Sequence, residues 1–390
     1  MDHKLLPRVL IFPLPIQSPV NSMMKLAELL CLAGLQVTFL ITKYNHKRLL
    51  HCTDIQTRLA EYHGQLHLET IEDGLPEDDP RNVEKFAEII DSLQTVGQPF
   101  LRELLQENMS RNTPITCVIA EGFYYYALDI TGELGIPLIF FETISPCCLW
   151  VYFCLTKLME DGQLPFKGDD LDTLVTSIPG MEGVLRFRDL PDFCRRDYSL
   201  DGNARLVFKS IQAYPRAVGL ILNSFAELES PVSSHLRSKV PHLYMIRLVQ
   251  LHLKKAILQG QQSQEYPNLS NSFWVEDRNC LKWLDSQPSK SVIYISFGSL
   301  FNLSNEELLE FWHGVMKSGY RFLWLIRPGS IKEQNDGFLK GLNDKTNDLG
   351  LIVSWCPQEE VLAHPAIGGF LTHSGWNSTL ESIIGMEESP

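Results

Sequence analysis

The side chains best suited to chemistry lie in one stretch of the sequence, between positions 355 and 381. They are Trp355, Gln358, His373, Trp376, Asn377, Ser378 and Glu381. An indole can stack on a nucleobase, which is worth about 1–3 kcal/mol. A carboxylate or an amide can bind ribose hydroxyls, and histidine, asparagine and serine can donate to phosphate oxygens. This combination is typical of a site for a nucleoside diphosphate.

The turn around Gly375 is predicted to form the phosphate end of this site. A strand is expected to end at Thr372, Gly375 permits a tight turn, and a helix is expected to begin near Trp376. The N-terminus of a helix attracts anions, because its N–H groups and its dipole point at the ligand. The predicted phosphate donors are His373, Asn377, Ser378 and, in the loop after an earlier strand, Ser299.

The elements that position these residues follow a strand–helix alternation. Apolar strands are predicted at 8–14, 36–42, 116–120 and 137–141, with a loop at 15–21 and a helix starting near Asn21 or Ser22. A second series has strands at 291–297, 321–326, 350–354 and 369–372, and helices at 305–318 and 358–363. Ser304 and Glu307 have the spacing of a capping box. Such alternation indicates parallel sheets covered by helices, as in two Rossmann-like domains.

The expected domain boundaries follow changes in composition. Residues 1–251 are predicted to form the first domain, 252–275 a linker rich in Gln, Ser and Asn, and 276–390 the second domain. The irregular stretch 160–205 is predicted to form loops over the first domain.

Composition excludes several other classes of protein. The formal net charge of −13 disfavours nucleic acid as a partner. The most apolar stretch, 138–158, contains Glu142, Pro146 and Lys157, so we expect no membrane span. Nine cysteines without a CxxC pair indicate reduced thiols and a cytoplasmic location. We expect a monomer.

Sequence motifs typical of metal and cofactor sites are either absent or lie in unsuitable surroundings. The DxD at Asp170 and Asp172 lies in an acidic, solvated loop, and His63 and His67 are separated by Gly64 and the start of a strand-like run. No GxGxxG follows a strand and no GxSxG occurs, which disfavours nicotinamide enzymes and α/β-hydrolases. We therefore expect no metal and no cofactor.

The C-terminal stretch resembles the signature box of plant family-1 UDP-dependent glycosyltransferases. The matching residues are Trp355, Pro357, Gln358, His364, Ala366, His373, Gly375, Trp376, Asn377, Ser378, Glu381 and Ser382. Further matches are FPLPIQ (12–17), CVIA (117–120), ELGIP (133–137), NSF (223–225) and ISFGS (295–299). The N-terminal half is similar to glucosyltransferases that act on iridoids such as 7-deoxyloganetic acid.

This resemblance implies a GT-B fold, in which two Rossmann-like domains face a cleft. It also implies inverting, metal-independent transfer of glucose from UDP-glucose to a small lipophilic plant metabolite. The implied roles are uracil stacking by Trp355, uracil-edge contacts by the Cys356 backbone, ribose binding by Gln358 and Glu381, phosphate binding by His373, Asn377 and Ser378, and shaping of the sugar pocket by Trp376.

The sequence departs from the family pattern at the position of the catalytic base. The family has a histidine in a Gln-Gly-His pattern after the first strand, and this chain has Pro19 there, which cannot accept a proton. Glu121 stands in place of the aspartate that orients the histidine, and it is the remaining candidate catalytic residue. Losing a positioned base costs about 10²–10⁴ in rate.

A second departure lies at the C-terminus, where the family pattern continues beyond Gly385 and this sequence reads MEESP. We therefore expect a truncated chain with an incomplete second domain. Two hypotheses stay open: an impaired UDP-glucose-dependent transferase, and a non-catalytic paralogue that at most binds UDP or an acceptor.

Overall fold

The computed structural model describes residues 7–110, 113–168, 170–195, 201–260, 269–331, 336–346 and 349–388. The chain divides into two compact units. The first comprises Met1–Lys47 and Ile55–Pro267, and the second comprises Arg48–Asp54 and Asn268–Pro390.

The first unit is built on a seven-stranded parallel sheet with the order β3-β2-β1-β4-β5-β6-β7. Its strands are β1 (Arg8–Phe12), β2 (Gln36–Thr42), β3 (Leu66–Ile71), β4 (Ile115–Ala120), β5 (Leu138–Glu142), β6 (Gly219–Leu222) and β7 (Leu243–Met245). The strand order reverses between β1 and β4, which makes that place the topological switch point of this sheet.

Helices connect these strands, as parallel pairing requires. The helices before residue 261 are α1 (Gln17–Leu32), α2 (Lys43–Cys52), α3 (Ile55–Ala60), α4 (Phe86–Met109), α5 (Tyr126–Glu133), α6 (Pro146–Glu160), α7 (Gly202–Ala213), α8 (Ser230–Lys239) and α9 (Val249–Gly260). The core of the unit is apolar on both sides of the sheet, and Leu10, Phe140 and Leu220 are fully buried in it.

The second unit has a four-stranded parallel sheet with the order β10-β9-β8-β11. Its strands are β8 (Val292–Ser296), β9 (Arg321–Leu325), β10 (Gly350–Val353) and β11 (Ile367–Thr372). Its helices are α10 (Asn279–Asp285), α11 (Asn305–Ser318), α12 (Asp336–Thr346), α13 (Gln358–Leu362) and α14 (Trp376–Glu388). The switch point of this sheet lies between β8 and β11.

The prediction of an α/β protein with two Rossmann-like domains is confirmed by these two sheets. The start of α11 is also as predicted, because Ser304 and Glu307 form a reciprocal capping box, and Gly319 ends the helix with φ of 71°. The predicted linker 252–275 is helical in part, since α9 extends to Gly260. Residues 261–268 of that linker lie outside the described residues.

The predicted start of the first helix is wrong. We expected a loop over 15–21, but α1 begins at Gln17 and contains Pro19 in its first turn. Proline is tolerated there because a first-turn residue has no intrahelical acceptor for an N–H group, and its fixed φ suits the helix. Pro19 is buried as a result.

The irregular region after α6 is more buried than its composition suggests. Val175, Ile178 and Phe187 pack into the core of the first unit. No helix in the described parts of the chain is long and apolar enough to cross a membrane.

Candidate functional site

The predicted nucleotide site lies at the carboxyl edge of the second sheet. All four strands are parallel, so the loops after β8, β10 and β11 leave the sheet at the same edge. Ligands in such sheets bind outside the carboxyl ends of the strands, at the switch point. Here the switch point brings together the Phe297–Ser299 loop after β8 and the turn from His373 into α14.

His373 packs against two glycines at this switch point. A Cβ atom on Gly298 would lie 2.4 Å from the His373 ring, and one on Gly375 would lie 2.3 Å from its Nε2 atom. Gly298 also has φ of 78°, which strongly favours glycine. Both glycines therefore create the space that the imidazole occupies, and the sequence alone indicated only the role of Gly375 in the turn.

The environment of His373 favours its neutral form. Partial burial lowers the pKa of this imidazole, and a hydrogen bond to the Ser296 backbone opposes that effect. A neutral imidazole has a single N–H, and the hydrogen bond to the Ser296 backbone uses it, so the ring can donate to an anion as well only in its protonated form.

Helix α14 begins at Trp376, where the sequence predicted an anion-binding helix terminus. Its first turn begins directly after the Ser374–Gly375 turn, in which Ser374 has φ of 58°. Thr379 donates its backbone N–H to the Gly375 carbonyl at 2.9 Å. The residues before Thr379 belong to the first turn, where the peptide dipoles leave partial positive charge. Trp376, Asn377 and Ser378 lie in this turn and are half-buried.

Gln358, Ser378 and Glu381 form one hydrogen-bonded cluster. The Gln358 amide donates to Ser378 Oγ at 3.1 Å and to the Glu381 carboxylate at 2.7 Å. Glu381 is only 7% exposed. The structure thus brings the two predicted ribose-binding residues together with a predicted phosphate-binding residue.

Tyr294 is a member of this cluster that was not predicted from the sequence. Its hydroxyl donates to Gln358 Oε1 at 3.0 Å and lies 3.4 Å from the Cys356 thiol. Tyr294 is fully buried on β8, so burial raises its pKa well above the usual value and the phenol stays protonated. A tyrosine within the otherwise apolar strand VIYIS was the only sequence signal for it.

Trp355 lies just after β10 and is half-buried. Its indole stacks on that of Trp274, with ring centroids 4.4 Å apart and planes inclined by 29°. Cys356, whose backbone is expected to contact the base, is itself buried. Ser299 is half-buried in the loop after β8. Trp274 was not predicted as a site residue, because it falls in the segment assigned to the linker.

The other candidate residue, Glu121, lies at the switch point of the first sheet. It follows β4, is 2% exposed, and accepts a hydrogen bond from the Phe123 N–H at 2.9 Å. Glu142, at the end of β5, is 3% exposed and accepts from the adjacent Gly122 N–H at 3.0 Å and from the Tyr214 hydroxyl at 2.6 Å. The two carboxyl groups therefore bind consecutive amides of one turn.

Burial and mutual repulsion change the titration of this pair. Burial, followed by the charge of Glu142, raises the pKa of Glu121 well above its usual value. Burial also raises the pKa of Glu142 to about 7, although the Tyr214 hydroxyl and the Gly122 amide oppose the shift. Both shifts favour the protonated forms of these carboxyl groups, because burial and a neighbouring negative charge disfavour ionisation.

The side chains of the rejected metal motifs make contacts that do not involve a metal. Asp172 pairs with Arg186 at 2.9 Å and with Arg188 at 2.5 Å. His63 has a positive φ and lies in a turn, so it does not share a helix face with His67. Within the described residues, no group of three or more His, Cys, Asp or Glu side chains is arranged to hold a metal ion.

Comparison with known proteins assigns the class that this fold and site define. The family model described as "UDP-glucoronosyl and UDP-glucosyl transferase" matches residues 275–386. The chain is 46% identical over 391 residues to 7-deoxyloganetic acid glucosyltransferase of Catharanthus roseus, covering 98% of this chain and 80% of the relative. It is 36% identical over 387 residues to (R)-mandelonitrile beta-glucosyltransferase of Prunus dulcis, with 97% and 79% covered. The chain therefore belongs to the family of UDP-dependent glycosyltransferases.

Solved structures support the same assignment. Os79 from O. sativa in complex with UDP matches with a TM-score of 0.76 at 26% identity, covering 97% of this chain and 79% of that one. UDP-glucose:anthocyanidin 3-O-glucosyltransferase in complex with UDP matches with a TM-score of 0.77 at 25% identity, covering 99% and 80%. These neighbours have the GT-B fold that the resemblance implied.

Proposed function

We propose that this chain uses UDP-glucose as donor and a small lipophilic plant metabolite, an iridoid or a phenolic compound, as acceptor. The similarity to the iridoid glucosyltransferase of Catharanthus roseus supports the acceptor class. The observation that carries the proposal is the Gln358–Ser378–Glu381 cluster beside the N-terminus of α14, at the switch point of the second sheet.

In this proposal the donor lies along the carboxyl edge of the second sheet. Uracil stacks on Trp355 and is bonded at its edge by the Cys356 backbone. The Glu381 carboxylate, held by Gln358, accepts from the ribose hydroxyls. The residues proposed to bind the diphosphate are His373, Asn377, Ser378 and Ser299, together with the Gly375 turn. Trp376 lines the space for the sugar.

The proposed reaction is a single displacement with inversion. The acceptor oxygen attacks the anomeric carbon, the bond from that carbon to the UDP oxygen breaks, and UDP leaves with the bonding electrons. Negative charge then builds up on the diphosphate. The α14 N-terminus can stabilise this charge, and so can His373 in its protonated form, which is how the transfer would proceed without a metal.

A hydroxyl acceptor must also lose its proton, and here the chain is poorly equipped. Pro19 has no group that can accept a proton. Glu121 is buried, accepts from the Phe123 amide, and has a pKa raised by burial and by Glu142. The raised pKa favours the protonated form of Glu121, which cannot accept a further proton, so Glu121 is poorly suited to act as a base. We therefore propose slow transfer to hydroxyl groups, whereas an ionised carboxylate acceptor needs no base.

The lack of a proton acceptor at Pro19 and the raised pKa of Glu121 also favour a second candidate function. In this second function the chain binds UDP or an acceptor without turnover. The donor cluster would bind the ligand, and neither Pro19 nor Glu121 would accept the proton of a hydroxyl group. We also propose a monomer, no nucleic acid partner and a cytoplasmic location. The location is supported by nine cysteines that are all free thiols, as is usual in a reducing compartment.

The test combines calorimetric titration with UDP and a turnover assay with UDP-glucose. We expect UDP binding, slow transfer to a hydroxylated iridoid or phenol, and faster transfer to a carboxylate acceptor of similar size. UDP binding without any transfer would select the non-catalytic function. No UDP binding up to millimolar concentration would contradict both functions.

A further inference from the structure

Two indoles form a stack beside the candidate donor site. The rings of Trp274 and Trp355 are 4.4 Å apart between centroids and inclined by 29°, and both side chains are half-buried. Trp355 also packs at the margin of the apolar cluster that includes Val353 and Cys356. One face of the Trp355 ring is therefore in contact with the Trp274 ring.

The segment that carries Trp274 is tied down on both sides of the ring. Ser272 Oγ accepts from the Trp274 N–H at 3.0 Å and donates to the Trp274 carbonyl at 2.7 Å. Three residues later, the Asp277 N–H donates to the Trp355 carbonyl at 2.9 Å. The backbone of the segment is thus joined directly to the backbone of the residue on which Trp274 stacks.

The following residues anchor the segment to helix α13. The Arg278 guanidinium forms a bidentate pair with the Glu360 carboxylate, with distances of 2.8 Å and 2.5 Å. Ser270 donates to Glu276 at 2.6 Å within the same segment. Paired, planar contacts of this kind restrict orientation as well as distance. These contacts restrain the position of Trp274 within the second unit.

A cation adds to the restraint on the Trp274 ring. The Arg327 guanidinium lies 5.8 Å from its centroid, within the range of cation–π attraction. Arg327 is itself held by the Asn302 side chain at 2.8 Å. Trp274 thus contacts Trp355 and also lies within reach of this charged side chain.

We propose that Trp274 is a positioning residue for uridine nucleotides: it supports Trp355 in the orientation in which that indole stacks on the base. This inference rests on the proposed function, because it assumes that Trp355 carries the base. A ring that must hold one plane to stack loses affinity when its support is removed. If Trp274 instead covered the site, its removal would give the base easier access and would strengthen UDP binding.

The experiment measures dissociation constants by calorimetry for the full chain with two probes, UDP and ribose 5-diphosphate. Trp274→Ala should weaken UDP binding by about threefold to tenfold, the range expected for an aromatic pair. It should leave ribose 5-diphosphate binding unchanged, because that probe has no base to stack. Trp274→Phe should restore most of the UDP affinity.

Trp283→Ala is the matched control. It removes an indole that packs on the same apolar cluster from helix α10, and it should change neither constant. Equal weakening of both probes by Trp274→Ala would show a general loss of structure and overturn the positioning role. Tighter UDP binding by that variant would also overturn it, because Trp274 would then cover the site.

Trp355→Ala separates this inference from the proposed function. If Trp355→Ala weakens UDP binding and Trp274→Ala does not, only the role of Trp274 is refuted. If Trp355→Ala has no effect on UDP binding, the proposed base site itself is wrong. In the double variant, the effect of Trp274→Ala should disappear, because there is no ring left to support.

Discussion

The switch points of the two sheets share one topology and differ in chemistry. In each sheet the first strand lies between the second strand and the fourth, as β1 lies between β2 and β4 and β8 lies between β9 and β11. In the second sheet the loops carry glycines, a neutral histidine and a helix N-terminus. In the first sheet they carry Pro19 and the buried Glu121, with Glu142 close by. The same topology therefore places a helix N-terminus at one edge and a buried carboxyl pair at the other.

Topology thus selects the place of a site but not its chemistry. A crevice forms at the switch point because the strand order reverses there. What the loops can do depends on individual side chains and on how deeply they are buried. Substitutions at the two edges can test this difference, beginning with the one that should have the largest effect.

Supplying a base at the first switch point should have the largest effect. Pro19→His places an imidazole in the first turn of α1, and turnover with a hydroxyl acceptor should rise by about 10²–10⁴. Pro19→Ala is the control, because it removes the proline without adding a base. The measurement is kcat with UDP-glucose and a phenolic or iridoid alcohol. Equal rates for the two variants would show that the missing base is not what limits the chain.

Replacing Glu142, one member of the carboxyl pair at the first switch point, should change how the stability of the fold depends on pH. The pKa of Glu142 is raised from 4.5 to about 7 in the folded chain, so the folded state binds more protons than the unfolded state in this range. Stability should therefore be full below about pH 4.5 and fall as the pH rises through about 7. Glu142→Gln should reduce this loss by on the order of 3 kcal/mol.

Urea unfolding at pH 5 and pH 8 measures that effect. Glu103→Gln, at an exposed position on α4, should leave the difference between the two pH values as it is in the parent chain. A parent chain whose stability does not fall between these pH values would argue against the raised pKa of Glu142.

Removing the carboxylate at the second switch point should weaken UDP binding. Glu381→Ala breaks the bond from Gln358 and removes the proposed acceptor for ribose hydroxyls. Hydrogen bonds to charged groups are worth about 1.5–3 kcal/mol, so UDP binding should weaken by about 10- to 100-fold. The control is Glu310→Ala on the exposed face of α11. Unchanged UDP affinity in Glu381→Ala would remove Glu381 from the proposed donor site.

The smallest effect should come from Gly298→Ala. The added methyl group would lie 2.4 Å from the His373 ring, at a residue with φ of 78°, so the imidazole must move. Strain of about 1–2 kcal/mol should appear as a lower Tm, and UDP binding should weaken severalfold. Gly314→Ala, in the open interior of α11, should instead stabilise the chain by about 0.5–1 kcal/mol. A normal UDP affinity for Gly298→Ala would show that His373 tolerates displacement.

Much of the fold could be predicted because its signals are local. The Ser304 and Glu307 capping box and the end of α11 at Gly319 depend on residues that are neighbours in sequence. The start of α1 could not be predicted this way. Pro19 is equally compatible with a loop and with a first helical turn, and the structure places it, buried, in the helix.

The candidate site likewise combines residues that local sequence signals reveal with residues that only the fold brings together. The residues from Trp355 to Glu381 could be found because the nucleotide signature is compressed into one stretch. Tyr294 and Trp274 come from distant positions and join the site only when the strands pair and the chain folds back on β10. Glu142 was noted only as a charge against a membrane span, since nothing in the sequence places it beside Glu121.

The sequence by itself determined the class of this protein, the alternation that builds two parallel sheets, and the absence of a proton acceptor at position 19. Side-chain type and local spacing are sufficient for these conclusions. Only the tertiary structure decided that Gln358, Ser378 and Glu381 share hydrogen bonds, that Trp355 rests on Trp274, and that Glu121 is buried next to a second carboxyl group. Burial and long-range contacts set these properties, because they depend on which surfaces meet when the chain folds.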